Sequence, residues 1–401
     1  MISLRKNPYP FDAMLAICSD LDETPDAEAY FETARFLNTK GETALGKGVG
    51  LEVGNTLYFR MPAGQFSWFN ATDEDRARLV ALMRSGHIDC LHSFGDLVTS
   101  RQDVIACWEE LDKYGCGPQV WIDHAEAKSN FDAEIMFGEG ASVGAGCYHA
   151  DVTTGRIRYI WKGRVTSIVA KDAPLSLAGI FSWQHPVATV ITMAKEAAKI
   201  ALAIGGSTKY AMHAEKSLLR DATLDSGQRI VEFIRSNPSW GGVSHNETGD
   251  GIGEVLVPRI LDRVVESGGR SIFYTHLGKT SAGKFLPASS VDGFRRLAAY
   301  ADKGRILVTT TRRLLGYVDA QRSLSFSATE SGDELTIETT SHFPVAELAG
   351  MCWYIPDHTR RVRLVANGET AFDLELNAPD ASGRQSASIA WPALEFPDWS
   401  L

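Results

Sequence analysis

The sequence predicts an α/β protein, a β/α barrel of seven or eight units followed by an antiparallel, sandwich-like β domain. From the start to about Leu315, short apolar segments alternate with amphipathic helical segments, as in parallel strands joined by helices. About seven or eight such units fit a closed or nearly closed barrel better than a short open sheet. After about Asp319, period-two alternation replaces the helical period and indicates β structure. We therefore expect a barrel over residues 1–318 and a β domain over residues 319–401.

The elements of the barrel are predicted in chain order from apolar runs and helix boundary signals. The expected strands are short and apolar or β-branched: AMLAICS, GVGLEVG, HIDCLHS, PQVWIDH, KYAMHA, GGVSH, SIFYTHL and RILVTT. The expected helices begin near Asp, Ser or Thr and often end at Gly: DAEAYFETARFLN, TDEDRARLVALMRSG, RQDVIACWEELDKYG, HPVATVITMAKEAAKIALAIGG, GQRIVEFIRS, GEVLVPRILDRVVESGG and SVDGFRRLAAYADKG. Residues 136–172 are rich in Gly and then alternate like a hairpin, so we expect an insertion beside the barrel.

Composition excludes several classes of protein. The chain has 401 residues, of which 44% are hydrophobic, so it can bury a large core. Its 50 acidic and 40 basic residues give a net charge of -10, which repels phosphate backbones and argues against a nucleic-acid partner. The apolar run Ala13 to Cys18 is too short for a membrane span or a signal-peptide core, and we expect a cytoplasmic protein without a membrane span. The oligomeric state is not predicted.

The six cysteines show no metal-binding or disulfide pattern. They are scattered without Cys-x-x-Cys spacing. A zinc knuckle or a secreted disulfide framework would need closer and more regular spacing. We expect reduced thiols that are mostly buried.

Polar side chains follow most of the predicted strands, at the point where each strand ends. They are Asp20, Asp22, His92, Asp96, Asp123, His124, His213, His245, Glu247 and His276. In a β/α barrel these strand ends converge on one mouth. Carboxylates and imidazoles gathered there would repel each other or be desolvated unless a cation or a substrate used them. A divalent metal ion is the simplest explanation.

The metal site is expected to contain Asp22, His92 and Asp96. One imidazole and two carboxylates form a mixed nitrogen and oxygen set, which suits zinc, with nickel, cobalt or manganese as alternatives. The neighbouring carboxylate, Asp20, would then be available to accept a proton from water.

Three short motifs resemble a known superfamily. SDLDET, HSFGD and YTH occur in the order found in the polysaccharide deacetylase-like superfamily, also called the NodB-homology family or carbohydrate esterase family four. The resemblance implies a deformed β/α barrel of the glycoside hydrolase/deacetylase type. The chain differs from the family in three respects: Leu21 separates the two aspartates, Asp96 stands in place of a second histidine, and the Arg-containing motif has no evident counterpart.

The resemblance also implies an activity and a role for each residue. It implies a metal-dependent hydrolase that removes an acyl group, N-acetyl in the first place, from a carbohydrate substrate, either a sugar or a polysaccharide intermediate. Asp20 would be the catalytic base and His276 the catalytic acid. His124 is the alternative for the acid or for a further metal ligand.

Two other functions are compatible with parts of the sequence. AICSDLDET also matches the Asp-x-Asp-x-Thr loop of haloacid dehalogenase-like phosphatases, in which Asp20 would attack phosphorus and Asp22 would act as an acid beside Mg²⁺. The later Thr/Ser, Lys and acidic motifs of those enzymes do not follow in the required order. A catalytically inactive carbohydrate-binding barrel is the other alternative, with Trp68, Trp183 and Trp240 as candidates for stacking on sugar rings.

Overall fold

A computed structural model describes residues 2–20, 24–124, 126–175, 180–240, 247–281, 283–368 and 370–398. The α-helices in these ranges are Ala27–Asn38, Asp73–Arg84, Arg101–Tyr114, Ala150–Thr153, Pro186–Ile204, Ala211–Ala214, Ile252–Val255, Pro258–Glu266, Ala288–Asp302 and Thr311–Ser323. Two 3₁₀ turns cover Thr208–Tyr210 and Val345–Leu348. Three of the helices start where the sequence predicts a cap, because a side chain there accepts a first-turn N–H: Asp26, Thr72 and Ser100. Thr310 caps the helix Thr311–Ser323 in the same way, although that helix was not predicted.

The centre of the molecule is a curled, barrel-like sheet of eleven strands. Its strands are Ala13–Ser19, Asn55–Leu57, Ile88–His92, Val120–Ile122, Tyr159–Trp161, Val165–Thr166, Leu219–Thr223, Arg229–Phe233, Arg235–Ser236, Arg270–Thr275 and Ile306–Val308. All pair in parallel except Leu219–Thr223, which is antiparallel to Arg229–Phe233. The barrel-like α/β core predicted from the sequence is therefore confirmed.

The curl is visible in the pairing of one stretch of chain. Residues 229–233 pair with Tyr159–Trp161, and residues 235–236, only one residue further on, pair with Val165–Thr166 and, through Ser236, with Phe273. Residues 229–233 and 235–236 therefore lie near opposite ends of the strand order, so the sheet must curl to bring those ends together. The carboxyl ends of the parallel strands consequently meet around one mouth.

Several predicted elements differ in the structure. GQRIVEFIRS was expected to be a helix but forms the strands Arg229–Phe233 and Arg235–Ser236, because its β-branched residues pack in the sheet after a turn at Gly227, whose φ is +89°. KYAMHA was expected to be a strand but forms a 3₁₀ turn and the helix Ala211–Ala214. GVGLEVG was expected to be the second strand, but the strand begins at Asn55, directly after that segment. The predicted strand GGVSH lies outside the described residues.

The segment expected to be a hairpin insertion contributes to the central sheet. Tyr159–Trp161 pairs in parallel with Val120–Ile122, and Val165–Thr166 pairs with Arg235–Ser236, so the two short strands do not pair with each other. All three residues of Tyr159–Trp161 are buried. Burial on both faces is typical of an internal parallel strand and explains why alternation was a poor guide here.

The C-terminal region forms two four-stranded sheets. One contains Ser325–Ser331, Glu334–Thr340, Arg361–Ala366 and Thr370–Asp373, and the other contains Ser3–Leu4, Cys352–Tyr354, Ser386–Ser388 and Glu375–Asn377. The expectation of purely antiparallel pairing is wrong for one pair, since Glu334–Thr340 and Arg361–Ala366 are parallel. Between them the chain enters the other sheet at Cys352–Tyr354 and then returns in the same direction, which is the crossover that parallel pairing requires. A separate two-stranded ribbon joins Glu42–Thr43 and Gly46–Lys47.

One hydrophobic cluster connects the central sheet to the C-terminal region. It includes Met14 and Cys18 of the first central strand together with Leu335, Trp353 and Val362. The alternate residues of the same strand belong to the second large cluster, so this strand is covered on both faces. None of the helices in the described ranges is long and apolar enough to cross a membrane. All six cysteines are free thiols.

Candidate active site at the mouth of the central sheet

Four residues predicted from the sequence come together at the strand ends. Asp20 directly follows Ala13–Ser19, and His92 is the last residue of its strand. His124 lies two residues after Val120–Ile122, and His276 directly follows Arg270–Thr275. Each imidazole therefore reaches the site from a different strand.

Asp20 lies at the centre of the group and is fully buried. Its carboxylate accepts hydrogen bonds from Nη1 of Arg235, at 2.9 Å to Oδ2 and 3.2 Å to Oδ1. Oδ2 also lies 3.2 Å from Nε2 of His92 and 4.0 Å from Nε2 of His276. The backbone N–H of Asp20 donates to the carbonyl of Thr275 at 2.8 Å, which fixes the carboxylate relative to the neighbouring strand.

Arg235 holds Asp20 in place. Its guanidinium lies between the rings of Trp161 and Tyr274, 3.5 Å and 4.0 Å from their centroids, and it also donates to Sγ of Cys18 at 3.3 Å. Burial by itself lowers the pKa of this guanidinium, but Asp20 and Cys18 more than offset that effect, so the pKa of Arg235 is raised. Arg235 therefore stays charged and pairs permanently with Asp20.

Arg235 was not predicted from the sequence. It lies between His92 and His276 in the chain, but it belongs to the segment that was expected to be a helix. The only signal in the sequence is a single arginine that ends the apolar run VEFIR. That signal becomes informative only when the segment is known to be a central strand.

His276 is a neutral imidazole with a defined tautomer. Its Nδ1 lies 2.9 Å from the carbonyl oxygen of Glu247, so Nδ1 must carry a hydrogen in order to donate. Burial lowers the pKa of His276 to about 4, so the ring is neutral at pH 7 and Nε2 is unprotonated. Nε2 lies 3.2 Å from the hydroxyl of Tyr274 and 3.4 Å from Nε2 of His124. Nε2 of His276 is therefore the acceptor in this group.

His124 faces His276 and is held firmly from behind. Its backbone N–H donates to Oδ1 of Asn130 at 3.0 Å, and Nδ2 of Asn130 donates to its carbonyl at 2.6 Å. Nδ1 lies 3.0 Å from the hydroxyl of Tyr58. Burial and then His92 lower the pKa of His124 to about 2, so this ring is neutral as well. Since Nε2 of His276 is unprotonated, the hydrogen between the two facing nitrogens belongs to His124.

His92 is the imidazole best suited to bind a metal ion. It is fully buried, with its ring centroid 4.3 Å from that of Tyr58 and 3.9 Å from that of His124. Burial, followed by the neighbouring His276 and Arg235, keeps its pKa well below the usual value. Among the described residues, neither ring nitrogen makes a hydrogen bond of acceptable geometry, although Nε2 lies 3.2 Å from Oδ2 of Asp20. Buried polar atoms are nearly always paired, so the unprotonated nitrogen of this imidazole is a candidate to bind a ligand.

The rest of the expected metal site is placed only in part. Asp96 is exposed, and its backbone N–H donates to the sulfur of Met61 at 3.4 Å. Asp22 lies outside the described residues. Within the part of the chain that the structure describes, no group of three His, Cys, Asp or Glu side chains could hold a metal ion. The set of Asp22, His92 and Asp96 thus stays a prediction.

Asp123, another polar residue at a predicted strand end, has a structural role. Asp123 is buried and accepts N–H bonds from the indole of Trp121 and from the backbone of Phe131 and Asp132, which organises the loop that carries His124. Burial raises the pKa of Asp123 to about 7. His213 lies in the helix Ala211–Ala214 rather than at a strand end. His245 lies outside the described residues.

The aromatic residues around the site also differ from expectation. Tyr58 and Tyr274, which contact His124 and His276, were not predicted, although Tyr58 follows the strand Asn55–Leu57 in the same manner as the other site residues. Trp68 and Trp240 are buried and cannot stack on a sugar. Trp183 is 87% exposed.

Comparisons of the chain with family models, with curated proteins and with solved structures find no match. What the site can do therefore follows from its own geometry. It combines one carboxylate fixed by an arginine, three neutral imidazoles and two phenols. These groups can accept, hold and pass on a proton inside a largely buried space.

Proposed function

We propose that this chain is a distant member of the polysaccharide deacetylase-like superfamily, with a deformed (β/α)7-8 barrel. In this proposal it is a metal-dependent hydrolase that removes an acyl group, N-acetyl in the first place, from a sugar or polysaccharide intermediate. One observation carries the proposal: Oδ2 of Asp20 is bonded to Arg235 and lies within 4.0 Å of Nε2 of both His92 and His276. A carboxylate and imidazoles from separate strand ends thus surround one point.

Asp20 is assigned the role of general base. Its ion pair with Arg235 fixes the orientation of the carboxylate, and burial excludes bulk water from it. A water molecule that attacks the acyl carbon would give its proton to Asp20, and a positioned base of this kind contributes about 10²–10⁴-fold to the rate.

His276 is assigned the transfer of that proton to the leaving amine. Its unprotonated Nε2 lies 4.0 Å from Oδ2 of Asp20, while its Nδ1–H is held by the carbonyl of Glu247. Because the ring starts neutral, it must first receive the proton and then release it to the amine nitrogen as the carbon–nitrogen bond breaks. His124, whose hydrogen faces Nε2 of His276, is assigned the positioning of that ring.

The metal ion would be bound by His92, with carboxylates from Asp22 and Asp96 as the sequence predicts. A divalent ion held there, zinc in the first place, would supply Lewis-acid polarisation of the acyl carbonyl. The burial of His92 beside Asp20, without a hydrogen bond of acceptable geometry to any described residue, supports this assignment.

A cytoplasmic sugar intermediate is the proposed carbohydrate substrate. Six free cysteines, five of them buried, are compatible with a reducing compartment. The two alternatives receive less support from the site. The later motifs of a phosphatase do not follow in the required order, and the imidazoles of His92, His124 and His276 have no role in that reaction. An inactive sugar-binding barrel is not supported by Trp68 and Trp240, because both are buried and cannot stack on a sugar ring.

The test is an acetate-release assay on protein stripped of metal and then reloaded with zinc, cobalt, nickel or manganese. The substrates are a panel of N-acetylated monosaccharides and oligosaccharides. We expect acetate release from at least one of them, dependent on the added metal and lost in Asp20→Asn. Asp151→Asn, which changes an exposed carboxylate paired with Arg101, is the matched control and should keep full activity. Absence of acetate release from the whole panel contradicts the proposal, and Mg²⁺-dependent phosphate release from a phosphate ester would support the phosphatase instead.

A further inference from the structure

The helix Pro186–Ile204 buries polar residues and exposes most of its large apolar residues, although Met193 packs inward against Ile168 and Trp240. Its buried residues are Thr189, Thr192 and Glu196. By contrast, Val187 is 70%, Val190 55% and Ile204 77% exposed. A surface helix of a globular protein normally shows the opposite arrangement.

The inward polar face is bonded specifically to the central sheet. Glu196 accepts hydrogen bonds from Oγ1 of Thr166 at 2.7 Å, from the backbone of Ser167 at 3.1 Å and from Lys199 at 2.9 Å. Lys199 also donates to the carbonyl of Val165 at 3.1 Å. These bonds fix which side of the helix faces inward, so the exposure of the apolar side is a property of the fold.

The exposed side has the spacing of a helix–helix contact. The exposed residues at alternating intervals of three and four are Val187, Val190, Ala194, Ala197, Ala201 and Ile204. This is the a/d pattern by which two helices pack against each other. Alanine at the three middle positions lets a second helix approach closely. We call these six residues the apolar stripe.

We propose that the apolar stripe is covered by the same stripe of a second copy of this chain, in a two-fold symmetric homodimer. A two-fold interface places one surface patch against its own copy, so the patch must be self-complementary. The stripe is apolar throughout, so no like charges meet when two copies face each other. This inference does not depend on the proposed enzymatic function.

The exposed apolar surface is large for a monomer and small for a dimer interface. Near the stripe, Trp183 is 87%, Ile191 49% and Leu202 50% exposed. Together with the stripe, these side chains expose on the order of 600 Å² of apolar surface, taking about 60–120 Å² for a whole aliphatic side chain and up to about 250 Å² for tryptophan. A standard interface buries about 800 Å² on each partner, while the largest apolar patch of a monomer is about 300–600 Å².

A membrane surface fits the stripe less well than a second copy does. Helices that lie on membranes carry rows of Lys and Arg beside the apolar face. Here the charged residues of the helix are Lys195, Glu196 and Lys199, and Lys199 is bonded to Glu196. The net charge of -10 also repels anionic lipids.

The test is sedimentation equilibrium of the full-length chain, with Val187→Glu against Val143→Glu. Both valines are similarly exposed, at 70% and 74%, but Val143 lies outside the helix. Glutamate at the second position of a helix is favourable, so Val187→Glu should fold normally, which circular dichroism checks. We expect a dimer for the wild type and for Val143→Glu at micromolar concentration. Val187→Glu should dimerise at least about 100-fold more weakly, because it places unpaired carboxylates in an apolar interface.

A second variant tests the contact directly. Ala197→Cys lies near the middle of the stripe and should form a disulfide-linked dimer on mild oxidation, whereas the wild-type chain, with its own cysteines, should not. A monomeric wild type, or an unchanged dimer in Val187→Glu, overturns the proposal. Binding of the wild type to phosphatidylserine vesicles that is lost in Val187→Glu also overturns it, in favour of a membrane surface.

Discussion

At the scale of single residues, the site depends on the ion pair between Asp20 and Arg235. Both side chains are fully buried, and the guanidinium is enclosed by Trp161 and Tyr274. A buried ion pair need not make a protein more stable than a pair of apolar residues would. Removing one partner, however, leaves the other charge buried without a partner, which is strongly destabilising. The pair thus fixes the position of the buried carboxylate, and neither charge can be removed without leaving the other unpaired.

We predict that Arg235→Met lowers the free energy of unfolding by about 3–5 kcal/mol, because it leaves the Asp20 carboxylate unpaired in the interior. Urea unfolding of the variant and the wild type measures this. The double variant Asp20→Asn, Arg235→Met should recover part of the loss, since no charge is then stranded. A loss below about 1 kcal/mol in the single variant contradicts the role given to the pair.

The carboxylate of Glu196 predicts a pH dependence of stability. Burial alone would raise its pKa, but bonds from His213, Lys199 and Thr166 more than offset that effect and lower the pKa to about 2. A lowered pKa in the folded state means that the stabilisation is complete above about pH 4.5 and is lost as the pH falls through about 2. At most about 3 kcal/mol is involved, from about 1.4 kcal/mol per pKa unit.

We therefore expect Glu196→Gln to be less stable than the wild type at pH 6, and the difference to shrink as the pH falls from 4.5 to 2. Urea unfolding at a series of pH values measures it. Glu109→Gln, at an exposed position of the helix Arg101–Tyr114, is the control and should follow the wild-type curve. A difference that stays constant across this range contradicts the assignment.

The residues that the sequence could predict share one property. Asp20, His92, His124 and His276 each follow a recognisable apolar strand, and parallel strands deliver their ends to one mouth. Arg235 does not follow a strand that can be recognised in the sequence. Its role depends on which strands become neighbours in the sheet.

At the scale of elements, the turn after Ile88–His92 shows how the backbone supports the site. Ser93 and Gly95 have φ values of +43° and +100°. A Cβ on Gly95 would lie 2.3 Å from the carbonyl oxygen of Arg60. Glycine is therefore required there for both conformation and space.

We predict that Gly95→Ala lowers the free energy of unfolding by at least about 3 kcal/mol, because left-handed strain adds to a backbone clash. Gly115→Ala is the matched control. It has φ of +61° at the end of helix Arg101–Tyr114, but a Cβ there would meet open space, so strain alone should cost about 1–2 kcal/mol. Equal losses in the two variants would contradict this account of the turn.

The errors in predicting elements have a common physical cause. Tyr159–Trp161 and Arg229–Phe233 were missed as central strands, although most of their residues are buried. A short apolar segment buried on both faces carries no periodicity that distinguishes a strand from a helix. The long helices with side-chain caps, such as Arg101–Tyr114 after Ser100, were predicted because capping is a local signal.

At the scale of the whole molecule, the C-terminal β region packs against the barrel and shares a hydrophobic core with it. Ser3–Leu4 at the start of the chain pairs with Cys352–Tyr354. The helix Thr311–Ser323 crosses the expected boundary at residue 318, and one hydrophobic cluster contains residues from both parts. Sequence composition marks the change of pattern near Asp319 but carries no information on these long-range contacts.

We expect the chain to unfold in a single cooperative transition, because the two parts share a core. Differential scanning calorimetry should give a calorimetric enthalpy close to the van't Hoff enthalpy. Two separate transitions, or independent folding of residues 1–318 as expressed alone, would contradict this prediction.

The central claim, that the strand ends form one hydrolytic centre, is tested most directly by measuring metal content and acetate turnover on the same preparations. In Asp20→Asn and His276→Ala, turnover should fall by about 10²–10⁴ while the metal stays bound, because these residues move protons. In His92→Ala, the metal itself should be lost. Full turnover in Asp20→Asn and His276→Ala, or an unchanged metal content in His92→Ala, would contradict the account.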